Sequence, residues 1–359
     1  MPDFSDSTND NMQKFDSISH FIQDGNFQYR VFDMGRKVIA IDNQAFEAFE
    51  NQELAYPYPF KQKAWLALLL WEEGKQHESV IWFLQFPIDE LGFLKLQSRD
   101  AFLIELLEQT GKNIQAKQQG TNILDELKES PFAFKPIPPL LAIFHAFATR
   151  ELGQSASKYY QYAHDYLTGE TGFEQWRFLG LQGIADVIAR LDQDNNEQLL
   201  IKALPQIQGE PREFFAQFLE HVSISDELFF SLKKCLDYEV HQENYNNRTI
   251  SALLRGISGS KKELKNPLFL EILELAIGSD IEILVAISGR SWESLKEPAL
   301  QKAFLEKLAE NETQSFNAVL ADLLMIPGMR EPIFSILRNP KRSTSLSQKL
   351  GEFMKVIKV

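Results

Sequence analysis

Gly209-Glu210-Pro211, Gly278-Ser279-Asp280 and Pro327-Gly328 ahead of Glu331-Pro332 repeat one instruction: a residue that closes a helix is followed at once by residues that open the next. Glycine accepts the left-handed geometry of a helix C-terminus, and proline or an acid suits a first turn. Working outward from these junctions, every second helix is expected to begin near residues 173, 211, 244, 280, 313 and 345, at intervals of 38, 33, 36, 33 and 32 residues. Two-helix units of that length cannot bury their apolar faces alone, so they stack on neighbours. The spacing predicts an all-α C-terminal part built as a HEAT-like stack of paired helices, an α-solenoid. Capping boxes are expected at Thr171 to Glu174 and Ser279 to Glu282, where each first side chain and the glutamate three residues on cap reciprocally.

Upstream the pattern changes to α+β. Tyr29 to Asp33 and Lys37 to Asp42 are rich in β-branched and aromatic residues, and Met34-Gly35-Arg36 between them supplies turn chemistry, so a hairpin is expected. A short helix over Gln44 to Asn51, with Phe46 and Phe49 on one face, should pack on it. Tyr56-Pro57-Tyr58-Pro59 must be extended, because a residue before proline avoids the helical region. Ala64 to Trp71 and Ser79 to Phe86, separated by Glu72 to Glu78, read as a second hairpin, with helix left open for the first run. Ser98 to Gly111 is expected to be an amphipathic helix that starts at a serine cap and ends at the glycine. A further short helix is expected around Leu124 to Leu127. Pro131, Pro136, Pro138 and Pro139 stiffen the segment that follows. The expected organisation is a disordered tail at 1–14, a small α+β domain with β-hairpins at 15–111, a proline-containing connector at 112–139 and a helical-repeat domain at 140–359.

Composition narrows the function classes. At 359 residues the chain is long enough for two domains, and 44% apolar with 24% charged residues is ordinary for a globular protein. The net charge of −13 argues against a general nucleic-acid binder, which needs a basic face. The exception is the stretch Arg330 to Val359, which holds seven Lys/Arg against two Asp/Glu. Cys235 is the single cysteine, which excludes an internal disulfide and fits a reducing compartment, the cytoplasm. Asp3, Asp6, Asp10 and Asp16 with no apolar run give no secretory signal. The eight apolar residues from Ala64 to Trp71 are too few to span a bilayer, so no membrane association is expected.

No catalytic or cofactor motif survives inspection. There is no phosphate-binding glycine loop, no dinucleotide fingerprint and no paired-histidine helix, and Gly256-Ile257-Ser258-Gly259 reads as a helix terminus. Asp192, Asp194 and Asn196 alternate like the opening of a calcium loop, but Glu197 stands at the glycine position and Ala203 at the final glutamate position. The six histidines are scattered and read as structural. Adjacent His164 and Asp165 point about 100° apart on a helix. Phe86-Pro87-Ile88-Asp89-Glu90-Leu91-Gly92 stands out because two carboxylates occupy a turn just after an apolar strand. The plainer reading is that Asp89 and Glu90 cap that turn or pair with Arg99; the functional reading groups Asp89 and Glu90 with Arg36 or Arg99 near the domain junction.

The segments Tyr29-Arg30-Val31-Phe32-Asp33-Met34-Gly35-Arg36, Tyr56-Pro57-Tyr58-Pro59, Ile81-Trp82-Phe83-Leu84 with Phe86-Pro87 and Asp89-Glu90, and Pro131-Phe132 with Phe134-Lys135-Pro136 occur in an order that resembles an uncharacterised bacterial family. That family is known only as a domain of unknown function with a Leu-Asp-Glu motif, and the resemblance covers nearly the whole chain. The tripeptide corresponds to Leu124-Asp125-Glu126 or to Ile88-Asp89-Glu90 with isoleucine for leucine, the second having the better Phe-Pro context. The resemblance implies a bacterial cytoplasmic protein. The sequence is best read as a non-enzymatic adaptor whose helical repeats hold a protein or peptide partner, with no cofactor or metal. The alternatives are an enzyme using acids near the domain junction and an RNA-associated protein using the basic C-terminal helices.

Overall fold

The computed structural model describes residues 15–116, 129–170 and 172–357. The tail at 1–14, the helix expected at Leu124 to Leu127, the tripeptide Leu124-Asp125-Glu126 and the Thr171 end of the first capping box lie outside them. The chain begins with a small antiparallel sheet and its helices and continues as a helix-rich C-terminal part. Helix α1 (Ile18–Asp24) leads into strands β1 (Phe27–Asp33) and β2 (Ile39–Ile41), helix α2 (Asn43–Glu50), strands β3 (Lys63–Glu72) and β4 (Val80–Pro87), and helix α3 (Leu96–Ala116). The sheet order is β2-β1-β3-β4, all antiparallel, with Phe32 opposite Ala40 and Ala67, and Leu66 opposite Leu84.

The run from Ala64 to Trp71 is apolar throughout because β3 is central and buried on both faces. Leu66, Leu68 and Leu70 point to a core built with α1, α2 and α3 through Ile18, Ile22, Phe46, Phe49, Phe102 and Leu106. Ala67 and Leu69, with Phe32 and Met34, point the other way into the core of the helix-rich part. Phe144 of helix α4 (Pro138–Glu151) closes that contact, set edge-on against Phe32 and Phe83 at 5.4 and 5.2 Å between ring centroids. One continuous apolar cluster therefore joins sheet and helices.

Two local expectations need correction. The helix expected from a Ser98 cap to Gly111 is longer at both ends: α3 already begins at Leu96 and continues to Ala116, because a glycine inside a helix costs only about 1 kcal/mol and stops nothing unless the chain also turns. The cap near residue 280 is Asp280, whose side chain accepts from the Glu282 N–H, while Ser279 belongs to a 3-10 turn over Ala276–Ser279. Gly35 also has a different job from the one its turn position suggested. Its φ is not positive; a Cβ there would lie 3.0 Å from the Trp65 ring and 3.1 Å from Phe60, so glycine permits a close approach.

The remaining helices are α5 (Tyr160–Thr168), α6 (Leu181–Ala189), α7 (Asn196–Ala203), α8 (Glu210–Leu219), α9 (Asp226–Val240), α10 (Asn247–Ile257), α11 (Lys262–Glu274), α12 (Ile281–Arg290), α13 (Pro298–Leu308), α14 (Thr313–Met325), α15 (Arg330–Arg338) and α16 (Thr344–Ile357). The starts of α8, α10, α12, α14 and α16 fall within three residues of those expected from the junction spacing; near 173 the chain forms a 3-10 turn (Phe173–Phe178) and α6 follows at Leu181. Helices α4, α6, α8, α10, α12 and α14 each pack on the next in that series, while α5, α7 and α9 form a second row. Cys235 is buried and unpaired, and no helix among the described residues is long and apolar enough to cross a membrane.

Candidate functional site

The β1–β2 loop, Met34 to Val38, projects from the sheet towards residues at the C-terminal ends of α8, α10, α12 and α14. Helix C-termini present unpaired carbonyls and a partial negative charge, which suits the two cations of this loop. Asp33 shapes the loop by accepting the Arg36 and Lys37 backbone N–H groups on Oδ2, at 3.0 and 3.2 Å, and the Tyr56 hydroxyl on Oδ1 at 2.7 Å. Burial pushes the Asp33 carboxyl up to about 6 despite those donors. Arg36 is 1% exposed. Its Nε donates to the Pro59 carbonyl at 2.8 Å, its Nη2 to Asp322 of α14 at 2.9 Å, and its guanidinium carbon lies 5.4 Å from the Trp292 ring centroid. Lys37 reaches Ser258 Oγ at 3.1 Å past the same indole, and burial pulls its ammonium down to about 8, with Glu293 opposing and Lys265 reinforcing.

A second buried group lies beside the first. The Val38 N–H donates to His221 Nδ1 at 2.9 Å, so the ring proton sits on Nε2, which faces Glu220 Oε1 at 3.4 Å. Burial drives His221 down to about 3, which makes it a neutral imidazole. Burial works to raise Glu220, but Arg290, His221 and Arg255 outweigh it and hold this carboxylate down at about 2. With both ring nitrogens engaged, His221 is a structural joint rather than a free proton carrier.

The four residues singled out from sequence do not form one site. Only Arg36 belongs to the loop. Asp89 Oδ1 accepts from the Leu91 and Phe93 N–H groups at 2.9 and 2.8 Å, which is the turn-capping role. Glu90 is exposed and contributes its backbone carbonyl to Arg330. Arg99 pairs with Asp100 at 2.7 Å and donates to the Glu50 carbonyl at 2.7 Å, so Asp89 and Arg99 are satisfied separately. The calcium-like residues are also engaged: Asp192 with Arg150, Asp194 with the Tyr160 hydroxyl, and Asn196 with the Arg190 carbonyl. His164 lies nearer Asp165 than helix geometry suggests, at 3.4 Å, on the outer face of α5. Among the described residues no three His, Cys, Asp or Glu side chains gather as a metal site. Much of the basic C-terminal stretch is used within the chain: Arg330 donates to the Leu324 carbonyl and Lys349 to Thr313.

Lys37, Glu220, His221, Arg255, Arg290 and Trp292 were not found from sequence. A signal existed: Glu220, Arg255 and Arg290 follow one another at intervals of 35 residues, close to the ends of α8, α10 and α12. Charges recurring at that interval meet where neighbouring helices end side by side.

Next to the loop lies a cleft of about 600 Å³ between the sheet and the ends of α4, α6 and α8. Val38, Ile39 and Ala40 form one wall; Phe147, Ile188, Leu191 and Val222 form the apolar part of the other, with Arg150 and Asp192 at the rim. The two edges of the sheet are treated differently. The edge of β4 is covered by Phe132 to Phe134, where Gln85 N–H donates to the Phe132 carbonyl at 2.7 Å and Phe134 N–H to the Phe83 carbonyl at 3.1 Å. Strand β2 is the other end of the sheet and pairs only with β1 among the described residues, leaving its second edge open along the cleft. An open edge is a template for another strand.

Fold and site together define a small sheet-and-helix unit docked by its loop on a helix-rich array. The chain belongs to the family described as protein of unknown function (DUF3549), whose model matches residues 13–354. Neither a curated protein nor a solved structure matches it.

Proposed function

We propose that this protein is a non-enzymatic, cytoplasmic bacterial interaction module, a HEAT-like solenoid with an N-terminal sheet, which captures an extended segment of a partner protein as a fifth strand on β2. The observation that carries this reading is the contrast between the two sheet edges. The unsatisfied N–H and C=O groups of an exposed strand are best matched by another extended backbone, and the fold already covers its β4 edge in that way. Alternate side chains of an added strand would face Phe147, Ile188, Leu191 and Val222, so the partner segment should be apolar at every second position. The strongly shifted groups of the neighbouring loop are each committed to contacts inside the chain, which makes that loop a structural support of the cleft. Asp89 is engaged as a turn cap, which removes the main support for an enzyme using that loop.

The test is a photo-crosslinking residue in place of Ile39, which also lines the cleft, in the full-length chain in its native host, with Ala40→Arg as the blocking variant. The expected result is a crosslink to one segment of a partner with alternating apolar residues, lost when the cleft is filled by Ala40→Arg and retained when exposed Phe230 on α9 is changed to serine. A crosslink to this chain itself, with dimers in light scattering, would replace the partner by a second copy. Retention of the partner in folded Ala40→Arg would overturn the reading.

A further inference from the structure

A second concavity, of about 340 Å³, lies where α8, α10 and α12 run side by side, lined by Gln217, Arg248, Ser251, Arg255, Val285 and Arg290 together with Ala252, Ala286 and Glu282. Its size is that of a small-ligand pocket. Arg248 and Arg255 are seven residues apart on α10 and therefore share a face, with Ser251 and Ala252 between them. Arg290 enters from α12. Ala252 and Ala286 keep the floor low, which leaves the space that longer side chains would fill.

The arginines are held in place before any ligand arrives. Arg255 donates through Nε and Nη2 to Oε2 and Oε1 of Glu220, and Arg290 places Nε 2.9 Å from Oε2, the oxygen that accepts from Arg255 Nε, and donates Nη1 to the Gly289 carbonyl. Two guanidiniums thus share one buried carboxylate; with Glu213 on Arg248 and Glu282 on the wall the charges balance, so the attraction for an anion lies in the directed N–H donors. Each guanidinium has five N–H donors, so both keep unused ones. Arg248 is anchored to Glu213 at 2.8 Å while 60% exposed. Three fixed planar donors around one concavity match an oxyanion with several acceptor oxygens, and arginine forks are suited to phosphate.

We infer that this groove binds a phosphate group, free or carried on a small molecule. Arg248, Arg255 and Arg290 hold its oxygens, Gln217 supplies a further donor, and the Glu282 carboxylate at the wall accepts from a hydroxyl of a phosphorylated ligand. The site is separate from the β2 cleft and does not depend on it.

The experiment titrates the full-length chain with inorganic phosphate and then with glycerol phosphate, at constant ionic strength set with chloride, by calorimetry and phosphorus NMR. A saturable 1:1 signal is expected, weakened about tenfold by Arg248→Gln, the scale of one charge-assisted hydrogen bond. Val285→Asp, at a half-exposed position of the groove, should weaken it similarly through like-charge repulsion without touching the Glu220 network. Tighter binding of glycerol phosphate would assign a phosphorylated metabolite, and equal binding would assign phosphate itself. Absence of a saturable signal, or a signal that neither folded variant weakens, overturns the inference.

Discussion

The seam between sheet and helices differs sharply between its two ends. At one end Phe32, Phe83, Ala67 and Leu69 meet Phe144 in a dry contact of interlocked rings. At the other, Arg36, Lys37 and Val38 meet Asp322, Trp292, Ser258 and His221 through hydrogen bonds and cation–π contacts. Apolar burial contributes free energy in proportion to area and tolerates small displacements. A buried charged contact returns little net free energy, since desolvation offsets attraction, yet it is intolerant of misplacement. The first end holds the two parts together; the second sets their angle.

Substitutions can break this division. Phe144→Ala should have the largest effect, about 3–5 kcal/mol of lost stability in urea unfolding, because a buried ring is removed from a site with little room to collapse. Arg36→Ala should cost about 2–3 kcal/mol, from lost stem packing and an unpaired Pro59 carbonyl. Arg36→Lys should recover less than half of that, since an ammonium cannot serve Pro59, Asp322 and the indole at once. A loss for Arg36→Ala as large as that for Phe144→Ala would abolish the proposed division of labour.

His221→Gln sharpens the comparison through pH. His221 is held at about 3 in the fold against an ordinary 6.5, so the unfolded chain binds its proton more readily. Its contribution is complete above pH 6.5 and is lost as pH falls towards 3. Glu220, at about 2 against 4.5, adds a loss between those values, and Asp33, at about 6 against 3.8, works in the opposite direction as it protonates. The stability advantage of the natural protein over His221→Gln should therefore narrow steadily below pH 6.5 in chemical denaturation at fixed temperatures. The smallest change is expected for Asp89→Ala, about 1 kcal/mol from a lost turn cap, with the partner crosslink at position 39 unaffected.

Much of the architecture was legible in sequence because it is local. The closing and opening residues around Gly209, Gly278 and Gly328 are chemistry of the adjacent backbone, and the helix starts followed within a few residues. The first hairpin was legible for the same reason, from β-branched and aromatic runs on either side of turn residues. Asp89 as a turn cap was readable two and four residues along the chain. The choice of strand for Ala64 to Trp71 was harder, because burial on both faces erases the alternation that marks a strand.

What sequence alone determined was therefore the first hairpin, the spacing of the C-terminal helix starts and the family. Tertiary structure decided which charges meet. Lys37 lies 221 residues from Ser258, Val38 183 from His221 and Arg36 286 from Asp322, separations over which no periodicity or motif operates. The physical reason is that propensity and capping act over a few residues, whereas burial and pairing of charge depend on where a whole array of helices brings its ends.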